Sequence, residues 1–475
     1  MPQYSMLQDA DIEPLGQSVF AVLEKVGILC QNRELLEALA ERGAVVDFAE
    51  ERATFPEPMS ISLLDQIPAE TPSSTDDREN RFVAPSLPGL GTQIAQFYYD
   101  YGSGQRRSGN RADFIELIKL GSVLHPEDPV GHALLLTDVP PMMEPLEAAM
   151  LLAEYAIDPS PAFAWNVRQV DYLAEMGEIL GRSDWFAWGA ICFAHPLPFD
   201  RDVADKLVRR AQSGYATGLT AMPVAGVSTP LPIPGFIAVA AAEIFATWLA
   251  VRALNPATPL SGSIWGGSMD MKTGAVSYSS FDAMSYSFAL AEFLRKWTGI
   301  DLPVGGGEYC DAKEPGYFAA QEKAYKSMTI AAFTGHHPGI GQGMLDEGKV
   351  LCPVQLLLER ELSTGVQLFA RTIEVSPQTI CLDSIIDVGF GLEKNYLATD
   401  ETLYNYRQHL WCPELADRSG WNGAETDAAV LQRLDYRVHS LIDSYEKPDV
   451  DPDKLNGMRA VVERARRELQ TQRVS

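Results

Sequence analysis

From about residue 94, short apolar or β-branched runs alternate with longer stretches whose apolar residues recur every three to four positions. The first pattern marks strands and the second amphipathic helices. The runs at 94–101 (IAQFYYDY), 130–137, 161–166, 185–193, 217–224, 259–265 (PLSGSIW), 301–307 (DLPVGGG) and 338–344 (PGIGQGM) read as strands. The stretches between them, roughly 111–124, 143–156, 169–181, 200–213, 236–254, 280–298, 315–333 and 352–371, read as helices. Eight strand-then-helix units are the count of an α/β (β/α)8 TIM barrel, with a doubly wound sheet as its rival. In either fold a ligand sits beyond the C-terminal ends of the strands.

The flanks follow other patterns. Asp11 to Arg42 carries Val19, Val22, Leu23 and Val26, then Leu35, Leu36 and Leu39, at helical spacing. Gly27 and Gly43 stand where two helices would end in a left-handed residue. Ala44 to Pro56 alternates enough for a short strand or hairpin, and the loop-rich stretch 68–92 marks a boundary. Residues 372–475 read mainly as helix, Glu463 to Arg473 as a solvated face. The expected division is an N-terminal helical and β arm at 1–92, the barrel at 93–371 and a C-terminal helical extension at 372–475.

Charge narrows the partners. With 38 Lys and Arg against 64 Asp and Glu, the formal charge is −26. Such a surface repels nucleic acid and anionic lipid, so neither nucleic acid nor a membrane is an expected partner. The N-terminus MPQYSMLQDADIEPL has no basic start and no apolar run, which is unlike a signal peptide. Pro234 to Leu254 is the most membrane-like stretch, but Glu243 and Arg252 interrupt it and a buried helix is expected. Six cysteines, Cys30, Cys192, Cys310, Cys352, Cys381 and Cys412, form no CxxC pair and read as reduced thiols of a cytoplasmic protein.

The candidate chemistry lies where strands end in glycine. PLSGSIWGG is followed by Asp270, and DLPVGGG by Glu308, Tyr309, Cys310 and Asp311. Glycine leaves room for a ligand beside the backbone, and aromatic and acidic side chains at successive strand ends suit a small cation. Other strand ends offer Asp138, Trp165, Asn166, His195, Gln342 and Asp346. Trp165, Phe193, Trp265 and Tyr309 could line a pocket with Glu308 and Asp138, although Trp165 and Phe193 taken singly are better explained as core. No metal motif emerges: His336 and His337 are adjacent, and His195 has no partner at ligand spacing. There is no GxSxG elbow, GIGQG (339–343) is not GxGxxG, and GGG (305–307) lacks phosphate-loop spacing; tight packing accounts for both glycine runs equally well. No catalytic acid, base or nucleophile is assigned.

Several phrases in order along the chain carry a more specific signal. They include VLEKVGI (22–28), ERGAVVD (41–47), GSGQRRSGNRADF (102–114), TDVPP (137–141), MPVAGVSTPLPIPGFIAVAAAEIFA (222–246), DMKTG (270–274), EYCDAKEPGYFAAQEKA (308–324) and LWCPELADR (410–418). Together they resemble the trimethylamine methyltransferase family, over nearly the whole chain. The resemblance implies a (β/α)8 barrel that moves a methyl group from a methylated amine to the cobalt of a corrinoid. That cobamide is carried by a separate small protein, so this chain is expected to bind no cofactor itself. The family's methanogen trimethylamine enzymes carry pyrrolysine; this chain has none, like relatives that demethylate glycine betaine, carnitine and proline betaine. The implied substrate is a quaternary or other methylated amine. Its expected contacts are Trp265, Glu308, Tyr309, Asp311, Asp138, Trp165, Asp270 and Gln342, with a homo-oligomer as the expected assembly. Two places depart from the family. Asp400, in LATDETLYNY, stands where a His is expected, and DMKTG is followed by AVSYSSFDA without a Gly-x-Pro-Glu. The competing readings are a non-catalytic barrel that binds a methylated amine or a partner protein, and a different enzyme class on the same barrel.

Overall fold

The computed structural model describes residues 4–70, 87–125, 128–183, 185–188, 191–193, 195–335, 339–415 and 426–470. His336, His337, the end of LWCPELADR and the last residues of the solvated helix lie outside them.

The chain begins with α1 (Asp9–Lys25), β1 (Ile28–Cys30), α2 (Arg33–Glu41), β2 (Val45–Asp47), β3 (Arg52–Thr54) and α3 (Glu57–Glu70). A reciprocal pair of bonds between Gln8 and Asp11 starts α1, and the side chain of Asn32 accepts the Leu35 N–H to start α2. Gly27 and Gly43 take positive φ just past α1 and α2, as the pattern requires. The expected hairpin is present, with Val45 opposite Thr54.

The middle of the chain runs β4 (Phe97–Asp100), β5 (Gln105–Ser108), α4 (Arg111–Leu124), α5 (Glu144–Tyr155), β6 (Ala162–Ala164), α6 (Val167–Leu180), β7 (Phe186–Trp188), β8 (Pro198–Phe199) and α7 (Arg201–Gln212). It continues with β9 (Thr217–Ala221), β10 (Val224–Ala225), α8 (Ile233–Leu254), β11 (Leu260–Ile264), β12 (Gly267–Met269), β13 (Val276–Ser277) and α9 (Phe281–Thr298). The last elements of this part are α10 (Tyr317–Thr334), β14 (Met344–Leu345), β15 (Val350–Leu351) and α11 (Pro353–Gln367). After them come α12 (Pro377–Ile380), α13 (Leu382–Val388), α14 (Asp400–His409), α15 (Asp427–Asp443) and α16 (Pro452–Gln470).

The helices fall where the periodicity puts them, but the strands do not close into the expected eight-stranded TIM barrel. The described residues form five separate sheets of two to four strands, ordered β2-β3-β1-β8, β10-β12-β13, β9-β11, β14-β15-β4-β5 and β6-β7. Parallel pairs such as β9 with β11 stand beside antiparallel ones such as β4 with β5. The fold is therefore α/β with small, mixed, open sheets.

Composition explains the missing strands. The run 301–307 pairs only through the bridge from Val304 to Ile264, because Pro303 has no N–H to give and Gly306 turns to positive φ. In 338–344, Gly341 and Gly343 also take positive φ and leave only Met344 in a two-residue strand. The run 130–137 makes two isolated bridges, Val130 to Pro159 and Leu134 to Ala95.

The core has two parts. In one, α1, α2 and α3 pack with α7, α8 and α9 around residues such as Leu23, Phe55, Phe245, Trp248 and Phe293. In the other, α4, α5, α6 and α11 pack with α15 and α16 around Phe114, Leu134, Leu173, Leu356 and Met458. Each large apolar side chain buried here contributes about 1.5–3 kcal/mol relative to exposure. Helix α8 is the one described helix long and apolar enough to cross a membrane, and most of its length is buried inside the protein. Its neighbours are α1, α2, α7, α9 and β9, so it is a core helix.

Candidate functional site

The parallel pair β9–β11 and the bridge at Val304 deliver their C-terminal ends to one place. The Trp265 N–H donates to the Ala221 carbonyl at 2.7 Å, and the Gly305 N–H to the Ile264 carbonyl at 2.9 Å. Gly305 is needed there, since a Cβ on it would stand 2.2 Å from the Trp265 ring. The indole stacks obliquely on Tyr309, centroids 5.0 Å apart, and Tyr278 meets Tyr309 edge-on at 6.4 Å. Three aromatic rings thus share one wall. Burial, the Glu308 carboxylate and Glu347 push the Tyr309 phenol well above its ordinary range, so it stays protonated.

Carboxylates gather around these rings. Glu308 Oε1 accepts the Gln93 side-chain amide at 2.6 Å. Asp311 accepts the Ser277 hydroxyl at 3.0 Å. Glu347, buried, accepts the Tyr278 N–H at 2.8 Å and the hydroxyl of Ser279. Facing them is one ammonium, Lys326, also buried, whose Nζ donates to the Tyr309 carbonyl at 3.4 Å and lies 5.9 Å from the Tyr309 ring centre. Burial lowers the Lys326 pKa, and the Glu347 and Glu308 carboxylates oppose the drop. Burial raises the Glu347 pKa, and the nearby Lys326 ammonium works against the rise. Among the described residues, Glu308, Asp311 and Glu347, with Glu322 in electrostatic reach of Asp311 and Lys326, outnumber the Lys326 ammonium, so the cluster has an excess of acidic groups beside aromatic faces.

Two of the acidic residues next to this cluster are separated by their turn. Asp346, Glu347 and Gly348 all take positive φ, at 49°, 56° and 76°. Glu347 points into the cluster, whereas Asp346 pairs outward with Arg106 at 2.7 Å and Lys313 at 2.6 Å. Burial opposes charge on Asp346, but the Lys313, Lys349 and Arg106 cations outweigh it and hold the carboxyl below its usual value.

The other sequence candidates have local partners. Asp270 is exposed in a turn, where it accepts the Lys272 N–H at 3.0 Å and the Thr273 hydroxyl at 2.7 Å. Asp138 accepts the Arg111 N–H at 3.0 Å, at the first residue of α4. Trp165 donates its indole N–H to Glu144 at 3.0 Å, and the same carboxylate holds His132 Nε2 at 2.9 Å and the Leu136 N–H at 3.0 Å. His195 is exposed, and Cys310 is a buried thiol that burial pushes up to about 12. The Gln342 amide nitrogen lies 4.0 Å from the place a Cβ would take on Gly91, two residues from Gln93.

GIGQG proves to be a packing loop. Its Gln342 and Gly343 N–H groups donate to Glu359 Oε2 at 2.9 and 2.7 Å, so the carboxylate of the protein's own α11 fills the nest. The other oxygen of Glu359 takes Gln355 Nε2 at 2.8 Å and the ammonium of Lys323, both ions of that pair being fully buried.

Gln93, Tyr278, Lys326 and Glu347 were not among the sequence candidates. Lys323 and Lys326 carried a usable signal: with Ala319 and Ile330 they occupy the buried stripe of α10. A lysine in an apolar stripe is rare without a buried carboxylate to meet it. Among the described residues, no three His, Cys, Asp or Glu side chains converge as a metal site.

Comparison with known proteins agrees with the phrase-by-phrase resemblance. A trimethylamine methyltransferase MttB2 of Methanosarcina mazei is 28% identical over 288 residues, covering 58% of this chain and 55% of that protein. The chain thus spans about half the length of the Methanosarcina relatives it matches. A glycine betaine methyltransferase of Desulfitobacterium hafniense is 22% identical over 470 residues, 95% of each chain. A trimethylamine methyltransferase MttB of that species is 21% identical over 478 residues, 96% of this chain and 92% of the other. The model of the family described as "Trimethylamine methyltransferase (MTTB)" matches residues 1–470, and the chain belongs to that family.

Proposed function

We propose that this protein is a corrinoid-dependent methyltransferase that takes a methyl group from a quaternary or related methylated amine, of the betaine kind. The observation that carries the reading is the excess of carboxylate over ammonium at Glu308, Asp311, Glu347 and Lys326, set against the Trp265–Tyr309–Tyr278 wall. A quaternary ammonium has no N–H and cannot donate the hydrogen bonds of a lysine. It is held by aromatic faces, at about 0.5–2 kcal/mol each, and by nearby rather than touching carboxylates.

In this reading the methyl acceptor is the cobalt(I) of a corrinoid carried by a separate small protein, and it supplies the nucleophile. This chain positions the cation so that one methyl faces the approach of that partner. A quaternary amine leaves as a neutral tertiary amine, so no proton has to move and no general acid is required. The amine's charge falls in the transition state, which a drier, aromatic-walled site favours. The high phenol of Tyr309 fits a wall residue that stays neutral throughout. Asp270 and Asp138, tied to a turn and to the start of α4, are proposed to act by supporting their loops. A cytoplasmic location fits the reading.

The test is a panel of betaines, carnitine and trimethylamine with reduced corrinoid protein, followed by the absorbance change on cobalt methylation. One methylated amine is expected to give turnover, and Glu308→Gln and Trp265→Ala to weaken its binding about tenfold or more. Silence across the panel with the native corrinoid partner overturns the transferase reading. Unchanged affinity in both variants removes these residues from the site.

A further inference from the structure

The turn 346–348 and the segment 308–312 are held in register by the backbone. The Glu347 N–H donates to the Cys310 carbonyl at 2.8 Å and the Asp346 N–H to the Ala312 carbonyl at 2.9 Å, on either side of Asp311. Asp311 and Glu347 are thereby brought to one group, the hydroxyl of Ser277 at the end of β13. Its oxygen lies 3.0 Å from Asp311 Oδ2 and 3.3 Å from Glu347 Oε1. Glu347 Oε2 takes the Tyr278 N–H at 2.8 Å, and the buried Ser279 donates its hydroxyl to Oε1. The serines stand on fixed backbone: β13 pairs with β12, and Ser280 caps α9 through the Ala283 N–H.

This arrangement is one hydrogen short. Ser277 Oγ accepts the Ser279 N–H at 3.2 Å and the Ser280 N–H at 3.0 Å, which occupies both of its lone pairs. One hydrogen is left for two carboxylates, and it serves only one of them in full. Two acids that meet at one hydroxyl away from water do not both ionise readily. The groups that face them do little to change this. From α10 come Lys326, Glu322 and Tyr325; from the segment after Val304, Glu308, Tyr309 and Cys310; from the turn after β13, Tyr278. Among the described residues, Lys326 is the cation that faces the pair, without a direct ion pair to either acid, while Lys323 is paired with Glu359. Burial raises the Glu347 carboxyl above the ordinary 4.5, against the pull of Lys326 and the Ser279 hydroxyl, and Asp311 adds to the rise. Beside the pair stands the Trp265–Tyr309–Tyr278 wall, a surface suited to a cation that has no N–H.

We infer that Ser277 and Ser279 position Asp311 and Glu347 as an acid pair that holds one proton in the ligand-free protein and yields it to solvent when a methylated ammonium enters. One carboxyl O–H bond breaks, the proton goes to water, and the incoming positive charge takes its place, so the net charge of the cluster does not change. The proton moves on binding and takes no part in the methyl transfer. Once the amine is neutral, the pair takes a proton back from water, and the charge that held the ligand is gone. The inference rests on the reading of this cluster as a site for a methylated ammonium. It adds that affinity rises with pH as the pair loses its proton and levels off above that point.

Titration calorimetry of the purified full-length chain with tetramethylammonium chloride tests it, run across about pH 5–8 in buffers of different ionisation enthalpy to count the protons released. Wild type is expected to release about one proton per cation at the pH of maximum release. Lys326→Met is expected to keep this release, which separates it from any proton on the lysine, and Glu347→Gln to abolish it. Ser279→Ala is expected to move the midpoint up by roughly one unit, since the hydroxyl favours the charged carboxylate, and Ser279→Thr to bring it back. Infrared difference spectra of wild type provide a readout that needs no variant: a protonated carboxyl band is expected to disappear when the cation is added. A cation that binds without releasing a proton overturns the inference and leaves the methylated-amine reading standing. So does release that persists in Glu347→Gln, or a midpoint unmoved in Ser279→Ala. A protein that binds no tetramethylammonium at any pH overturns that reading and the inference together.

Discussion

Lys323 and Lys326 stand one turn apart on α10, both buried, and their surroundings differ completely. Lys323 meets Glu359, whose carboxylate is also bound by two backbone N–H groups and by Gln355, so every strong group there has a partner inside the protein. Lys326 has a long bond to a carbonyl, a ring at 5.9 Å and carboxylates that face it without a direct ion pair. A closed polar network is what a structural cross-brace needs. An open one, with more carboxylate than ammonium, is what a site for a foreign cation needs. In the proposed reading, the same residue type on one face of one helix thus serves stability at Lys323 and cation binding at Lys326.

The comparison breaks most sharply under mutation of the closed pair. Lys323→Met is expected to destabilise the protein by about 3–5 kcal/mol, because it strands a buried carboxylate. Chemical denaturation reads this directly. Lys326→Met is expected to cost at least about 2 kcal/mol less than that, since no buried ion pair is broken. Its effect should instead appear in binding. Removing a like charge is expected to tighten a tetramethylammonium probe about tenfold by calorimetry. In wild type the same gain should emerge as pH rises through the depressed Lys326 value, and it should be absent in the variant. If both lysines prove equally structural, or equally indifferent to the probe, the distinction fails.

A third buried group sharpens the contrast, because no cation among the described residues pairs with it. Burial pushes the Glu243 carboxyl on α8 up to about 8, although the Leu197 N–H donates to it at 3.0 Å. The folded protein therefore holds a proton that the unfolded chain releases near pH 4.5. Stability from this group is present in full below that value and is lost as pH rises through about 8. Glu243→Gln is expected to leave stability unchanged at pH 5 and to raise the melting temperature at pH 9. An equal effect at both pH values would show that Glu243 is not protonated in the fold.

The sequence showed the helices well and the sheets poorly, for a physical reason. Helix α4 falls on the expected 111–124 because fourteen residues give the 3.6-residue period room to show, and Asn110 with Asp113 marks its start. The hairpin β14–β15 has two residues per strand, too few for any alternation. The run 305–307 that advertised a ligand site contains Gly306, whose positive φ breaks the ladder as Gly341 and Gly343 break the next one, and the eight-strand count failed there. In the candidate site, Trp265, Glu308 and Tyr309 stood out in the sequence because they adjoin the glycines at two strand ends. Glu347 and Gln93 come from distant turns and enter only through tertiary folding, and Lys326 was hidden in a helix that looked like ordinary packing.

The three left-handed residues 346–348 have one more consequence. A left-handed step costs a non-glycine residue roughly 1–2 kcal/mol, and Asp346 and Glu347 take two in succession. The return on this bend is a sorting of neighbours: one acid looks out at three cations and the next looks in at the aromatic wall. The polarity of the cluster is thus written in register. Slipping this turn by one position would exchange the inner acid for the outer one without altering the composition of the chain. In the proposed reading, a change in what this cluster holds can therefore come from an insertion or deletion in a loop as readily as from a substitution among the aromatic residues.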